Sequence, residues 1–360
     1  EGQEQGAAVA VTTILGQDRA LGVLAGALRA ERFHHGWIFA GPRGVGKFTT
    51  AMQVARILLD PETGQRSAIS DQLEIQNPRS RIQNLIDAGT HPDLHVIRKE
   101  LALFSDSREL RDKKQFNIPI DLLRERVIGG KVGETYHDAP AYRSAAHGHG
   151  KAFIIDEAEL LDDTGQNAML KTLEEPPPQT WFFLITTQPD RLLPTIRSRC
   201  QVVRFGALDA SAMRQWSKSH AAMSPWVEQF AVGSPGIALL AMEYGFEQWH
   251  KQLEPMLKQL DRGQFPVSMG ETLGKLVEEF SQAWVKAHKN ASKDAANKDG
   301  ARHMLSLLGS HARRQLHASV ESTAAAEHWG EVIHLIRECE RQIESNVNQK
   351  LALENLVVQW

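Results

Sequence analysis

The sequence predicts a parallel α/β domain at the front of the chain, followed by a small helical region and an entirely helical last part. Three observations support this architecture. A short apolar strand enters a glycine-rich loop and a helix between Trp37 and Leu59, a second apolar strand ends in Asp156 and Glu157, and apolar residues follow helical spacing from about Phe246. Strands that alternate with helices are typical of open parallel sheets. We place the three regions at 1–206, 207–245 and 246–360.

Length and composition exclude several classes of protein. The 360 residues include 41 Lys and Arg against 44 Asp and Glu, so overall charge does not predict a polyanion-binding protein. Only two cysteines occur, Cys200 and Cys339, which favours a reducing compartment and argues against a disulfide framework or a four-thiolate zinc site. We find no run of about 18 apolar residues and no leader-like start. These features predict a soluble, cytoplasmic protein with no membrane contact, whose first ten residues are flexible.

The glycine-rich loop has the spacing of a phosphate-binding loop, with one fault. A helix over Asp18–Arg32 and a strand over Trp37–Ala40 lead into it, and a helix from Thr49 to Leu59 follows. Its backbone N–H groups and its lysine are suited to phosphate oxygens, so the candidate nucleotide-binding residues here are Gly41, Gly44, Gly46, Lys47 and Thr49. Position 48, where a hydroxyl would bind Mg²⁺, is Phe48. Thr49 does not replace that hydroxyl, because one residue along a helix is a rotation of roughly 100°.

The next hundred residues give weaker signals. A helix around Ile82 to Ile86 and a strand over Leu94–Ile97 are predicted, then a charge-dense loop at 99–117 and a short helix at 120–128. The stretch 133–150 carries His137, His147 and His149 among Ala, Gly and Pro. Because no acidic residue or helical i,i+4 spacing frames these histidines, we predict an exposed loop and no metal site.

A buried parallel strand over Lys151–Ile155 ends in Asp156 and Glu157, where an open α/β sheet places residues that face a ligand. In a working ATPase the aspartate holds the Mg²⁺ shell and the glutamate polarises the attacking water. A helix over Gly165–Glu174 and a strand over Trp181–Thr187 come next. Thr187, at the end of that strand, is a candidate sensor of the γ-phosphate, although a strand-end cap has the same appearance. A further strand, Gln201–Phe205, completes this region.

The rest of the chain is predicted to be helical. Apolar spacing at positions such as Met213, Trp216 and Phe230 suits a small helical lid. The last region is predicted as helices interrupted by a mobile loop at 288–302, which is rich in Lys, Asn, Asp and Ala. Amphipathic spacing resumes at 331–341 and 348–357.

Taken together, the motifs resemble the clamp-loader subunits of the AAA+ class, most closely the delta-prime subunits of bacterial DNA polymerase III. The resemblance covers nearly the whole chain, and Leu-Glu-Glu-Pro-Pro followed by Ser-Arg-Cys is its most specific part. The segments that carry it are Gly16-Gln17, His34-His35, Gly41 to Lys47, Gly89 to Asp93, Asp156 to Glu159, Leu173 to Pro177, Ser198-Arg199-Cys200, Gly233 to Gly236, Asn346 to Asn348 and Leu351 to Glu354.

The resemblance implies that Arg199 is an arginine finger, which reaches the ATP of a neighbouring subunit, and that residues 246–360 form an oligomerisation collar. A surface ion pair is the alternative for Arg199, and a free-standing helical bundle is the alternative for the last region. Cys200 is then a small buried packing residue. Three departures from the family pattern argue against a motor role. The four-cysteine zinc module is missing, Phe48 replaces the metal-binding hydroxyl, and Gly236 or Ile237 stands where active subunits have a nucleotide-sensing arginine.

These features predict a clamp-loader stator within the DNA polymerase III complex, with negligible ATP hydrolysis of its own and no zinc. Its implied partners are tau/gamma and delta subunits, and through the assembly the sliding clamp and primed DNA. Binding of ATP or ADP with Mg²⁺ stays open. One alternative is an active ATPase of the tau/gamma kind, and another is an unrelated P-loop NTPase or helicase-loading factor.

Overall fold

The structure is a computed structural model that describes residues 13–30, 33–60, 69–74, 80–112, 116–220, 222–288, 290–319, 322–345 and 347–360. The first ten residues, predicted to be flexible, and Asn346 lie outside the described residues. The chain forms two compact units: unit 1 is Glu1–Ala222 with Val232–Ile237, and unit 2 is Met223–Ala231 with Ala238–Trp360. The division at 206 and 245 stays a prediction.

Unit 1 is an α/β unit, and the elements that were predicted occur in the predicted order, with further short elements between them. Its strands are β1 (Gly36–Ala40), β2 (Leu94–Ile97), β3 (Gly130–Val132), β4 (Thr135–His137), β5 (Lys151–Ile155), β6 (Thr180–Thr186) and β7 (Gln201–Arg204). Its helices are α1 (Asp18–Arg29), α2 (Lys47–Leu59), α3 (Arg81–Asp87), α4 (Arg108–Arg111), α5 (Ile120–Leu123), α6 (Asp163–Glu174), α7 (Pro194–Arg197) and α8 (Ala210–Ser219).

Five of the strands form one parallel sheet in the order β2-β5-β6-β1-β7. The three central strands are buried along their whole length, as expected for a sheet covered on both faces. Aromatic side chains lie on both faces: Phe153 and Phe182 stack on one face with ring centroids 5.2 Å apart, and Phe39 and Phe183 meet on the other at 5.7 Å. The predicted fold class, a parallel sheet flanked by helices and followed by helical regions, is confirmed.

The segment from 99 to 150 is more ordered than its charge density indicates. Residues 99–117 were predicted as a loop, but a 3₁₀ turn at Lys99–Phe104 and α4 lie there, held by the buried side chain of Leu110. The tract at 133–150 is mostly exposed, as predicted, but it is not only loop, because β4 lies in it and pairs with β3 in a hairpin. Lys151 anchors the chain behind the hairpin, because its Nζ donates to the carbonyls of residues 140, 141 and 143. The helix predicted at 120–128 is confirmed as α5 with one π-helical turn behind it.

Unit 2 is helical throughout its described residues. Its helices are α9 (Pro225–Ala231), most of α10 (Pro235–Glu243), α11 (Phe246–Leu260), α12 (Met269–Ala287), α13 (Lys293–Ala318), α14 (Thr323–Glu344) and α15 (Gln349–Gln359). An aromatic cluster holds α11, α12 and α13 together: the Phe280 ring lies 6.0 Å from Phe246 and 5.5 Å from His303, measured between centroids. The predicted helical last region is therefore confirmed.

The mobile loop predicted at 288–302 is wrong, because α13 already begins at Lys293. Ser292 caps this helix by accepting from the Ala295 N–H. Gly300 lowered the helical signal of the sequence, yet it lies where α13 crosses α12. A Cβ at this position would lie 2.8 Å from Cδ1 of Phe280. The glycine is therefore explained by close helix packing and not by a loop.

Candidate functional site

The register of the sheet brings the predicted motifs to one edge. Ala40 pairs with Thr186 across β1 and β6, and the Gly41 N–H donates to the Thr186 carbonyl, so the glycine-rich loop leaves the sheet beside Thr187. On the other side of β6, Ile155 of β5 pairs with Leu184, and Asp156 and Glu157 follow directly. The carboxyl ends of parallel strands lie at one edge, which is where α/β sheets bind ligands.

The loop takes a conformation that only glycine accommodates at its tight points. Gly41, Gly44 and Gly46 have φ angles of 156°, 75° and 100°, and Gly46 caps α2. At Gly41 a Cβ would lie 2.2 Å from the Phe205 carbonyl oxygen, so any side chain there would displace the end of β7. α2 begins at Lys47, two residues before the predicted start. The half-buried Thr49 lies in its first turn, and Thr50 donates its hydroxyl hydrogen bond to the Gly46 carbonyl.

A second turn of the chain covers the apex of the loop. Ser234 Oγ donates to the Arg43 carbonyl at 2.8 Å, and the Gly236 N–H donates to the Gly44 carbonyl at 2.9 Å. A Cβ on Gly44 would lie 2.9 Å from the Cα of Gly236. The turn that the resemblance associated with nucleotide sensing therefore contacts the loop through its backbone and a serine hydroxyl.

Lys47 is directed back onto its own loop. Its Nζ donates to the carbonyls of Gly41 at 2.7 Å and Pro42 at 2.5 Å, and the residue is 5% exposed. The pKa of Lys47 is lowered from 10.5 to about 8, chiefly by burial; Glu159 and Asp156 oppose the shift, and Arg43 contributes to it. An ammonium with a depressed pKa gains from a nearby anion, so this lysine is suited to meet a phosphate.

We expect Lys47 to titrate near pH 8, well below exposed lysines. Because its folded pKa lies below its unfolded pKa, the folded state releases the proton first, and the stability of unit 1 rises as pH increases from about 8 to about 10.5. The rise is on the order of 3 kcal/mol. The measurement is a ¹³C NMR titration of lysine Cε resonances, with the Lys47 signal assigned by its loss in Lys47→Met. A midpoint near 10 for that signal would contradict the expected burial.

The two carboxylates after β5 are each paired with a cation from the end of β2. The Arg98 Nε atom lies 3.1 Å from Asp156 Oδ2, and the Lys99 Nζ atom lies 3.0 Å from Glu157 Oε2. Burial raises the pKa of Asp156, and Glu157 adds to the rise, while Arg98 opposes it. Glu157 has a φ of 56°, a left-handed conformation that is strained for a residue with a Cβ.

Thr187, the candidate phosphate sensor, contacts a carboxylate of its own unit. Its hydroxyl donates to Glu159 Oε1 at 2.6 Å, and its N–H donates to the same oxygen at 3.1 Å. This geometry is that of a strand-end cap, and Thr187 is exposed at the sheet edge. The role of Thr187 as a sensor stays a prediction.

Arg199 lies between α7 and the edge strand β7. Its Nη2 atom lies 2.6 Å from Glu174 Oε1, and its Nη1 donates to the Thr195 carbonyl at 2.9 Å. The side chain is 33% exposed. Cys200, predicted as a packing residue, is confirmed as buried, and burial raises the pKa of its thiol to about 12. The thiol therefore stays protonated at neutral pH.

Arg98, Lys99 and the contact of Ser234 with the loop were not predicted from the sequence. The position of Arg98 and Lys99 in the sequence could have indicated them. They directly follow the strand Leu94–Ile97 and so share the sheet edge with Asp156. Nothing local indicated the contact of Ser234, which lies 191 positions along the chain from Arg43.

Within the described parts of the chain, no group of three His, Cys, Asp or Glu residues is arranged to hold a metal ion. No helix among the described residues combines the length and the apolar character needed to cross a bilayer.

The strand, glycine-rich loop and helix, beside a strand that ends in Asp156-Glu157, define a P-loop α/β domain. A family model described as "DNA polymerase III, delta subunit" matches residues 16–209, just over half of the chain. The chain belongs to this DNA polymerase III family, which confirms the resemblance predicted from its motifs.

Named relatives agree with this family. DNA polymerase III subunit delta' of Escherichia coli (strain K12) is 31% identical over 221 residues, covering 60% of this chain and 57% of that protein. DNA polymerase III subunit gamma/tau of Mycobacterium tuberculosis (strain H37Rv) is 31% identical over 208 residues, covering 56% of this chain and 29% of that protein. The chain thus spans less than two thirds of either relative.

Among solved structures, a DNA polymerase III gamma subunit-related protein from Thermotoga maritima superimposes with a TM-score of 0.42 at 20% identity. The match covers 93% of this chain and 97% of that chain.

Proposed function

We propose that this chain is a stator subunit of a DNA polymerase III clamp loader. In this role it does not hydrolyse ATP itself, offers Arg199 to the ATP of a neighbouring gamma/tau-type subunit, and assembles with a delta subunit. Through that assembly it helps to place the sliding clamp on primed DNA. Membership of the family supports the complex, and the geometry of the two candidate sites supports the division of roles.

The single observation that carries this proposal is the exposure of the Arg199 side chain together with its contacts. The side chain is partly exposed beside the edge strand β7, and both terminal nitrogens of its guanidinium are engaged, Nη2 with Glu174 and Nη1 with the Thr195 carbonyl. These contacts hold the side chain at the surface, and on assembly the Nη atoms exchange them for the phosphate oxygens of a partner subunit. An arginine supplied by another subunit stabilises charge on the transferred phosphoryl group, because its fork of N–H donors matches phosphate oxygens.

The loop of this chain favours a non-hydrolytic role. Phe48 removes the hydroxyl that would bind Mg²⁺, and the turn at Ser234 to Gly236 brings backbone and a serine to the loop where a sensing arginine would be needed. The glycine cradle and Lys47 are retained, which is the observation that favours the alternative, an active ATPase of the tau/gamma kind.

The test is steady-state ATP turnover by a reconstituted loader, with gamma/tau and delta subunits, clamp and primed DNA, in which only this chain is changed. We expect Lys47→Ala to lower turnover by less than about threefold, far less than Arg199→Ala, because the hydrolysed ATP is held by another subunit. A larger loss with Lys47→Ala would show that this chain is itself a motor. Failure of the chain to assemble with gamma/tau and delta would contradict the proposal altogether.

A further inference from the structure

Arg98 lies at the place where the two metal-binding groups of a phosphate loop should meet. Ile97 pairs with Ile155 across β2 and β5, so Arg98 is carried beside Asp156 by the register of the sheet. The guanidinium contacts the residues at both positions that bind Mg²⁺ in a hydrolysing phosphate loop. Its Nε is 3.1 Å from Asp156 Oδ2, and its Cζ is 4.4 Å from the centroid of the Phe48 ring. The three side chains form one stacked and ion-paired group.

A hydrolysing phosphate loop binds Mg²⁺ through the hydroxyl after its lysine and through an aspartate of the neighbouring strand. Mg²⁺ requires oxygen ligands in octahedral geometry. Here Phe48 offers an aromatic face, which attracts an organic cation and supplies no oxygen. Asp156 is already neutralised by Arg98. The residues of this site therefore do not fit Mg²⁺.

We propose that the Arg98 guanidinium takes the place of Mg²⁺ in this loop, so that a nucleotide phosphate bound by Lys47 is neutralised by the protein and gains nothing from a divalent cation. Lys99 acts in the same way on Glu157, the carboxylate that would otherwise polarise water, since its Nζ lies 3.0 Å from Glu157 Oε2. The inference deepens the proposed non-hydrolytic role, and it concerns the metal preference of this loop alone, independent of Arg199.

Two changes are needed to create a metal site, because two features prevent one. Phe48→Thr restores the hydroxyl but leaves the guanidinium on Asp156. Arg98→Ala frees Asp156 but leaves the aromatic ring. Only the double variant, Phe48→Thr with Arg98→Ala, presents a hydroxyl and a free carboxylate together.

The experiment measures ADP binding to the full chain by calorimetry, once with Mg²⁺ and once with EDTA. For the parent chain and both single variants we expect ADP to bind no more tightly with Mg²⁺ than with EDTA. For the double variant we expect ADP to bind at least about tenfold more tightly with Mg²⁺, the size of one hydrogen-bonded charge interaction. Mn²⁺ electron paramagnetic resonance should detect a nucleotide-dependent bound ion in the double variant and not in the parent.

Three outcomes would overturn the inference. One is tighter binding of ADP with Mg²⁺ by the parent chain, which requires no variant to fold. Another is full Mg²⁺ dependence in Phe48→Thr alone, and the last is no Mg²⁺ dependence in the folded double variant. Arg124→Ala is the matched control, because Arg124 forms a 3.0 Å ion pair with Asp121 at similar exposure and should leave ADP and Mn²⁺ binding unchanged. Turnover by the assembled loader is not used, so this result stands apart from the test of Arg199.

Discussion

Arg199→Ala in this chain is expected to lower ATP turnover by the reconstituted loader by about 10³-fold at the site that it serves. The loss arises because charge that develops on the transferred phosphoryl group loses its guanidinium partner. Removing the pair with Glu174 does not by itself explain a large effect, since partly exposed ion pairs contribute about 0–1 kcal/mol. Besides steady-state turnover, quench flow follows a single round of hydrolysis of ATP bound to the assembled loader, so that chemistry is separated from assembly.

The matched control is Arg197→Ala, two residues earlier, where Arg197 pairs with the exposed Asp190 at 3.0 Å. That variant should retain turnover within about twofold. Arg199→Lys keeps the charge but loses the planar fork, so we expect it to recover only a small part of the rate. Equal effects of Arg197→Ala and Arg199→Ala would mean that Arg199 only forms a surface ion pair. That is the alternative interpretation of Arg199 that the sequence left open.

Arg56→Ala is expected to destabilise unit 1 by about 3 kcal/mol, because it breaks a buried polar network. Arg56 is 6% exposed and bonds Gln83 Oε1 at 3.0 Å and Asp87 Oδ1 at 2.5 Å. Gln83 in turn donates to Asp60 Oδ2 at 2.9 Å, and Ser80 donates to the same oxygen. These contacts tie α3 to α2, in a segment where the family pattern has four cysteines and this chain has none.

Hydrogen exchange of the β1 and β6 amides measures this free energy within unit 1, without assuming that both units unfold together. Arg29→Ala is the control, since Arg29 pairs with the exposed Asp71 at 2.8 Å. Arg29→Ala should lower the free energy of unfolding of unit 1 by less than about 1 kcal/mol. Similar costs for the two variants would show that the buried network adds nothing beyond a surface pair.

Much of the fold could be predicted because its signals are local. The strand, loop and helix around Lys47 and the strand before Asp156 are continuous in sequence, and their apolar runs and glycines carry the information. The helix at Lys293 was not predicted, because Gly300 and the neighbouring Asn297 and Asp299 are poor helix formers on their own, although the Lys and Ala residues beside them favour a helix. Packing against Phe280 supports the helix there.

The sequence by itself determined the motifs: a phosphate loop with Phe48 in place of a hydroxyl, two carboxylates at the end of a strand, and Arg199 before Cys200. It also determined the family. Only the tertiary structure decided which other residues those motifs contact. The register of β2 on β5 carries Arg98 to Asp156 and Phe48, and a turn far along the chain brings Ser234 to Arg43. Strand pairing and turn contacts join residues far apart in sequence, and the spacing of residues along one segment does not encode such neighbours.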